Sequence, residues 1–471
     1  EQILETLLSV EQLFGWSPDM EWTGQSDSLT VLQARPITTA GPEQDEKRAW
    51  FLSLRPGDAR LRVLRKRGAE QLIPELESVG QVFAAEQLDL LDHRQLAGAI
   101  EQRSAALAKW KKIYWDDFIP FAHGVRRLAI YYNDAVQAED PYEFVGLLRS
   151  QPLVATQRNE ALGQLAEKLA ANDTLRSALE RLLAEFAGSI DWPASRDMLM
   201  NNADGAEDFV RGFDDLKERF FDIAYDQERL YDQPEVMLRN LIELSRTRSQ
   251  SHGDEPVTGD TVVALEQRLL EAVGPERRAE ALEVIETGRV SWKLRDDDNL
   301  LVARLESQLL RALDEAARRL RMLGRLTGDE RPNDAHVEAM VRALREPSTG
   351  QITLEATAKI PAAALSSAPS GEAPRQLIGQ PASPGAATGT VRCVHGRHDL
   401  GRFRQGEVLV CDAIQPTMTH LVPLASAIVE RRGGMLIHGA IIARELGIPC
   451  VNGVRDAAEI LKNGDLVTVD G

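Results

Sequence analysis

Cysteine is scarce in this chain of 471 residues: Cys393, Cys411 and Cys450 are odd in number, far apart, and never in a Cys-x-x-Cys pair. That excludes a disulfide framework and a thiolate zinc site, and it fits a reducing, cytoplasmic setting. Long apolar runs are absent too. None approaches the roughly 18 consecutive apolar residues of a membrane helix, so no membrane partner is expected. The opening residues, EQILETLLSVEQLFG, lack a basic start and a small-residue cleavage site, so they are not expected to be a signal peptide. A positive excess is also missing. The net charge is −18, and residues 377–471 hold nine basic and nine acidic groups, which places the whole acidic excess in 1–376. An acidic chain without a basic stripe is a poor nucleic-acid binder. The chain does not begin with Met and is read as a fragment or a processed piece.

What is present divides into segments. Residues 1–39 read as a helix with Ile3, Leu7, Leu8, Leu13 and Phe14 at helical spacing, followed by two strands, DMEW and LTVLQ, joined by the polar turn GQSDS. About forty residues cannot bury a core, so this is the edge of a larger unit. Residues 48–360 are rich in Leu, Ala, Arg and Glu, with apolar residues three and four apart, and are expected to be helical. The clearest helix is expected to start near Asn299, with Leu301, Leu305, Leu309, Leu313, Ala317 and Leu320 on one face and Gly324 as its stop. Residues 361–376, PAAALSSAPSGEAPRQ, have the composition of a semi-rigid linker. Residues 377–471 alternate short β-rich runs with glycines and polar turns and predict a compact α/β domain.

Several clusters hold candidate chemistry. Strand SAIVE runs into Gly433-Gly434, and His438 then opens the helix GAIIAREL, which Gly447 and Pro449 close. A histidine at a helix N-terminus faces unpaired N–H groups and the positive end of the dipole. That setting suits a neutral ring carrying an anion. Gly439 and Ala440 leave room beside the ring. Taken alone, such a histidine is more often structural. Glu21 and Gln33 are expected on neighbouring strands, where two oxygen donors suit Mg²⁺, with Arg35 able to clamp a phosphate. The bland alternative is ordinary strand decoration. Trp110, Tyr114, Trp115, Phe118, Phe121, Tyr131 and Tyr132 concentrate aromatics in a chain only 5% aromatic. They read as core packing or as a pocket for a hydrophobic acceptor, with His123 and Arg126 orienting a hydroxyl or carboxylate. The run Arg295–Asn299, RDDDN, reads as an acidic N-cap of the Leu301 helix rather than a metal cluster. His395 and His398 are expected in a solvated loop. His420 is expected at the surface, with lining of the site around His438 as the alternative.

The stretch GGMLIHGAIIARELGIPCVNG resembles the phosphohistidine motif of the phosphoenolpyruvate-utilising enzymes, the family of phosphoenolpyruvate synthase and rifampicin phosphotransferase. GQPASPGAATGTV and GEVLVCDAIQPTMTHLVPLASAIV resemble the rest of that family's mobile domain, so the likeness spans 377–471. DMEW followed by LQARPIT resembles the closing motif of the family's ATP-grasp-like domain. The resemblance implies a multidomain α plus α/β chain: the tail of an ATP-grasp-like domain (1–39), a large helical acceptor domain (48–360), a swivel linker (361–376) and a swivelling β/β/α phosphohistidine domain (377–471). It implies ATP and Mg²⁺ as cofactors, with Glu21 and Gln33 on the metal, Arg35 on the triphosphate, and His438 carrying the phosphoryl group to a small-molecule acceptor. The rest of the ATP-grasp domain is then expected in cis or on a separate subunit. Ile437 departs from the hydroxyl or thiol residue that pyruvate dikinases carry before the histidine, which shifts weight away from a pyruvate dikinase. An ATP-dependent ligase with a phosphohistidine intermediate, a phosphocarrier subunit and a piece of a phosphoenolpyruvate synthase-like enzyme remain as alternatives.

Overall fold

The computed structural model describes residues 6, 10, 18–24, 30–36, 57–140, 143–148, 153–185, 190–203, 205–225, 228–248, 259–328, 330–346, 350–354, 376–433 and 438–471. The chain forms two compact units, Glu1–Pro56 and Gly57–Gly471. In the first, β1 (Pro18–Thr23) pairs antiparallel with β2 (Thr30–Pro36). The register sets Glu21 opposite Gln33 and Asp19 opposite Arg35, with a bulge between Glu21 and Trp22. The helix expected before this hairpin lies almost wholly outside the described residues, as does the linker at 361–375.

The second unit begins as a stack of helices. Local sequence sets where they start. His93–Ile113 opens on Asp92, whose carboxylate accepts from Gln95 N at 2.8 Å, while the Gln95 side chain accepts from Asp92 N at 2.8 Å. This reciprocal pair satisfies two N–H groups that the first turn leaves without helical partners. The central element is a 45-residue helix, Arg278–Met322. The expected start near Asn299 is therefore corrected. Buried Ala281, Val284, Ile285 and Trp292 extend the apolar pattern well ahead of Leu305, so nothing breaks the helix at the acidic run. Close approach helps as well. A side chain on Gly288 would meet Leu128 Cδ2 at 2.7 Å, and one on Gly124 would meet Ser291 Cβ at the same distance. These glycines let the helix His123–Val136 lie directly on the long one. The acidic run does not cap its own helix either. Asp297 is buried, pairs with Lys293, and accepts from Val154 N at 3.1 Å, thereby capping the neighbouring helix Val154–Ala170.

The carboxy-terminal part is a six-stranded mixed sheet. Its strands are β3 (Gln380–Ser383), β4 (Ala386–Val394), β5 (Val408–Cys411), β6 (Ala427–Glu430), β7 (Cys450–Asn452) and β8 (Leu466–Asp470), in the order β8-β4-β5-β6-β7-β3. The central pairs are parallel and the two outer strands run antiparallel. Strands β5 and β6 are buried along their whole length, because both faces are covered. One face packs on Val454 and Ala457. The other joins a core shared with the helical body, in which Phe403, Leu421, Val422, Ile441 and Ile442 meet Leu238, Leu241 and Trp292. All three cysteines are buried and free. Among the described residues no helix is long and apolar enough to cross a membrane.

The segment Pro416–Leu424, a 3₁₀ helix, carries the contact with the body. His420 sits within it and is 1% exposed, which overturns its expected surface position. Its Nδ1 lies 3.0 Å from Thr417 O, and its ring meets the Phe221 ring edge-on at 5.5 Å. Arg158, from the helix Val154–Ala170, lies over the other side of this contact, with its guanidinium 5.7 Å from the Phe221 ring centre and donating to the Thr419 hydroxyl. Burial penalises the imidazolium, and Arg158 adds to the effect, so the His420 pKa falls to about 3.

The unfolded chain protonates this histidine near 6.5 and the folded chain only near 3. Between those values the unfolded state binds more protons, so stability is lost as pH falls below about 6.5. Thermal or urea unfolding of His420→Gln, measured from pH 6.5 to 4.5, is expected to show a pH slope shallower than wild type by up to about 1.4 kcal/mol per pH unit. Equal slopes would show that His420 is not protonation-linked.

Candidate functional site

His438 is the first residue of the helix His438–Leu446, which follows β6 and residues 431–437 in the chain. The residues directly after β6 are pinned by backbone hydrogen bonds from Arg431 N to Cys411 O at 3.0 Å, Arg432 N to Asp412 O at 2.9 Å, and Gly453 N to Arg432 O at 3.1 Å. Gly433 and Gly453 pass so closely that a side chain on either would lie 3.5 Å from the other's Cα. The far end of the helix closes as the sequence predicts. Gly447 adopts a positive φ of 67°, Gly447 N donates to Arg444 O at 3.4 Å, and Ile448 N donates to Ala443 O at 2.8 Å. These are the two bonds of a Schellman stop, which a glycine makes without strain. Ala440, Ile441, Ile442 and Ala443 are buried, so the helix is held along its length and His438 sits half-buried at its start.

The sequence reading left room beside the ring at Gly439. In the structure the place of a Gly439 side chain is taken. Glu430, the last residue of β6, is fully buried, and a side chain on Gly439 would lie 2.4 Å from its Oε2. Glu430 Oε1 accepts from Ile414 N at 2.6 Å, and Oε2 has no hydrogen-bond partner among the described residues. Burial raises the carboxyl, Ile414 N–H opposes this, and Asp412 adds to it, giving a pKa of about 7. Asp412 is itself paired with Arg431 and, at 2.8 Å, with Arg432. Sequence reasoning missed Glu430. The available signal was a carboxylate ending an otherwise apolar strand, facing a glycine where the helix begins.

The other candidates are dispersed. Glu21, Gln33 and Arg35 belong to the first unit, and their side chains lie outside the described residues. Trp110 is 1% exposed within a core formed with Leu107, Phe118 and Leu309. Phe121 packs with Leu61 and Leu294, and Tyr131 and Tyr132 join the core that reaches the sheet. Trp115 is 53% exposed and stacks edge-on with Tyr114. His123 is half-buried and Arg126 exposed. These side chains are divided among separate cores and the surface. His395 is exposed. Among the described residues no group of three or more His, Cys, Asp or Glu is arranged to hold a metal.

With this geometry in place, comparison with known proteins is informative. Residues 403–471 match the family model of the PEP-utilising enzyme, mobile domain. The resemblance to the phosphoenolpyruvate-utilising enzymes holds over the C-terminal fifth of the chain. There it is 47% identical over 95 residues to an uncharacterised phosphotransferase, YvkC, of Bacillus subtilis, covering 20% of this chain and 11% of the relative. It is 48% identical over 94 residues to a phosphoenolpyruvate synthase of Aeropyrum pernix, covering 20% and 12%. It is 42% identical over 95 residues to a probable phosphoenolpyruvate synthase of Archaeoglobus fulgidus, covering 20% and 13%. The chain thus spans about a tenth of the length of the curated relatives it matches.

The clash at Gly439 is testable. Gly439→Ala is expected to destabilise by about 1–3 kcal/mol, because the buried carboxyl, held through Oε1 by Ile414 N, has to shift to make room. Combining it with Glu430→Ala is expected to cost at least about 1 kcal/mol less than the sum of the single changes. Urea unfolding of the four proteins measures this coupling, and additive costs would show that the two residues do not press on each other.

Proposed function

We propose that the chain carries a phosphoryl group on His438 as part of an ATP-dependent phosphotransferase that delivers it to a small organic acceptor. The observation that carries this reading is the setting of His438. It opens a nine-residue helix anchored by Schellman stop and core, inside a segment matching the mobile domain of phosphoenolpyruvate-utilising enzymes. The free N–H groups of a first helical turn favour an attached anion. In the step itself, an imidazole nitrogen of His438 forms an N–P bond as the P–O bond to the donor's leaving group breaks, and a second nucleophile later takes the phosphoryl group away.

ATP with Mg²⁺ would supply the phosphoryl group. The register of β1 and β2 fits the first unit to that task, since it sets the two oxygen-bearing residues Glu21 and Gln33 opposite each other and places Arg35 one strand position beyond Ala34. Glu21 and Gln33 would hold the metal and Arg35 the triphosphate, together with the remainder of an ATP-grasp-like domain in cis or on a separate subunit. The helical body is the part left to bind the acceptor. Similarity to a phosphotransferase and to phosphoenolpyruvate synthases favours phosphoryl transfer over ligation.

The complete enzyme incubated with ATP and Mg²⁺ is expected to accumulate acid-labile, base-stable phosphate stoichiometric with chain. His438→Ala is expected to lose it entirely while keeping its fold by circular dichroism. Acid-labile phosphate persisting in the folded variant would overturn the assignment.

A further inference from the structure

Glu430 is an expensive residue for its place. A carboxyl without exposure costs stability unless it is paired or neutral, and here only Oε1 has a hydrogen-bond partner among the described residues. Its unpartnered Oε2 is directed at Gly439, the second residue of the His438 helix. Since Oε2 lies 2.4 Å from where a Gly439 Cβ would stand, and consecutive Cα atoms are about 3.8 Å apart, the carboxyl is within about 8 Å of the His438 Cα. At that range its charge is felt by anything attached to His438.

We propose that Glu430 is a proton-holding positioning residue for His438: its carboxyl takes up one proton as His438 is phosphorylated and gives it back when the phosphoryl group leaves. The proposal rests on the phosphohistidine reading of His438. A phosphoryl group brings roughly two negative charges near pH 7. Beside an ionised, buried Glu430 it would be repelled; beside a protonated one it is not. The proton comes from bulk water and returns there, so besides the carboxyl O–H bond only the N–P bond to His438 and the P–O bond to the donor's leaving group change.

The neighbours leave the proton with Glu430. Cys411 on β5 and Cys450 on β7 are thiols pushed upward by burial and by Glu430 itself, and stay neutral in this range. Asp412 is held by Arg431 and Arg432. Arg444, on the same helix as His438, acts on Cys450. Burial brings Glu430 itself to about 7, so small changes of nearby charge move its proton.

The test uses the full chain and phosphoramidate, a small chemical donor that phosphorylates histidine with loss of ammonia. ATP is absent, so a chain that never accepts phosphate from ATP still reports on Glu430, and failure of the two readings is distinguishable. The rate of His438 loading, read by ³¹P NMR with His438→Ala as blank, is compared for wild type and Glu430→Gln from pH 6 to 8.5. The expected result is a wild-type to Glu430→Gln ratio that falls several-fold across pH 7, as the wild-type carboxyl ionises and repels the donor. A ratio independent of pH overturns the proposal. Should Glu430→Gln not fold, the loaded wild type decides alone. A ³¹P resonance with an inflection above pH 7 beyond those of the phosphoryl group and the phosphorylated ring, both taken from free phosphohistidine, supports the proposal, and its absence overturns it.

Discussion

The helix Arg278–Met322 must bury apolar side chains for two cores at once, and the arrangement of residues 57–471 follows from that. Its first half gives Ala281, Val284, Ile285, Trp292 and Leu300 to one core; its second half gives Leu305, Leu309, Leu313, Ala317 and Leu320 to another. The first core does not stop at the helical body. It continues through Leu238 and Leu241 into Leu421, Val422, Ile441 and Ile442, under the helix that starts with His438. The candidate phosphate carrier is therefore fixed to the same packed interior as Trp292.

That continuity decides what holds the two parts together. An ion pair across the contact, Arg404 with Glu243 at 3.5 Å, joins a half-exposed arginine to a buried glutamate that also pairs with Arg246; desolvation of the glutamate offsets much of its Coulomb gain. Each apolar side chain buried at the contact contributes roughly 1.5–3 kcal/mol. Apolar burial dominates. The neutral charge of residues 377–471 against an acidic body removes a long-range electrostatic pull, but it leaves this short-range term intact. Any movement of the domain on the proposed reaction path has to offset it, with His420 and Arg158 passing from a dry contact into water. An exposed His420 regains its ordinary affinity for a proton, so acid conditions favour the separated arrangement.

Local sequence pattern made the His438 helix, its glycine stop and the strand pair at 18–36 legible, because each is set by residues within a few positions of one another. The misreadings have a different cause. The run at 295–299 looked like a cap because acidic residues favour helix starts. It lies in mid-helix because Asp297 serves the N-terminus of another helix, 143 residues away in sequence. His420 looked like a loop histidine because its neighbours are Thr and Pro. It is buried because Phe221 and Arg158, far off in the chain, close over it. The aromatic run at 110–132 looked like one cluster because it is contiguous. Helical geometry distributes it over three cores and the surface. In each case the deciding partner is remote in sequence, and no local pattern encodes it.

Glu430 and Gly439 are the sharpest instance. Viewed separately, a glycine after a candidate phosphohistidine reads as space for a ligand, and a glutamate at a strand end reads as solvated. Brought together by the crossing from β6 to the helix, each explains the other. The glycine is small because a carboxyl occupies the place of its side chain, and the carboxyl is dry because the helix lies against it. A buried acid poised at about 7 would be a plain defect in a structural domain, since neutral apolar residues of similar volume would pack there without a desolvation cost. In a domain whose helix start is proposed to accept and release a dianion, a group that can change charge in step with the histidine would keep the local charge more nearly constant. The same contact that makes the site costly to fold would then couple its protonation to its load.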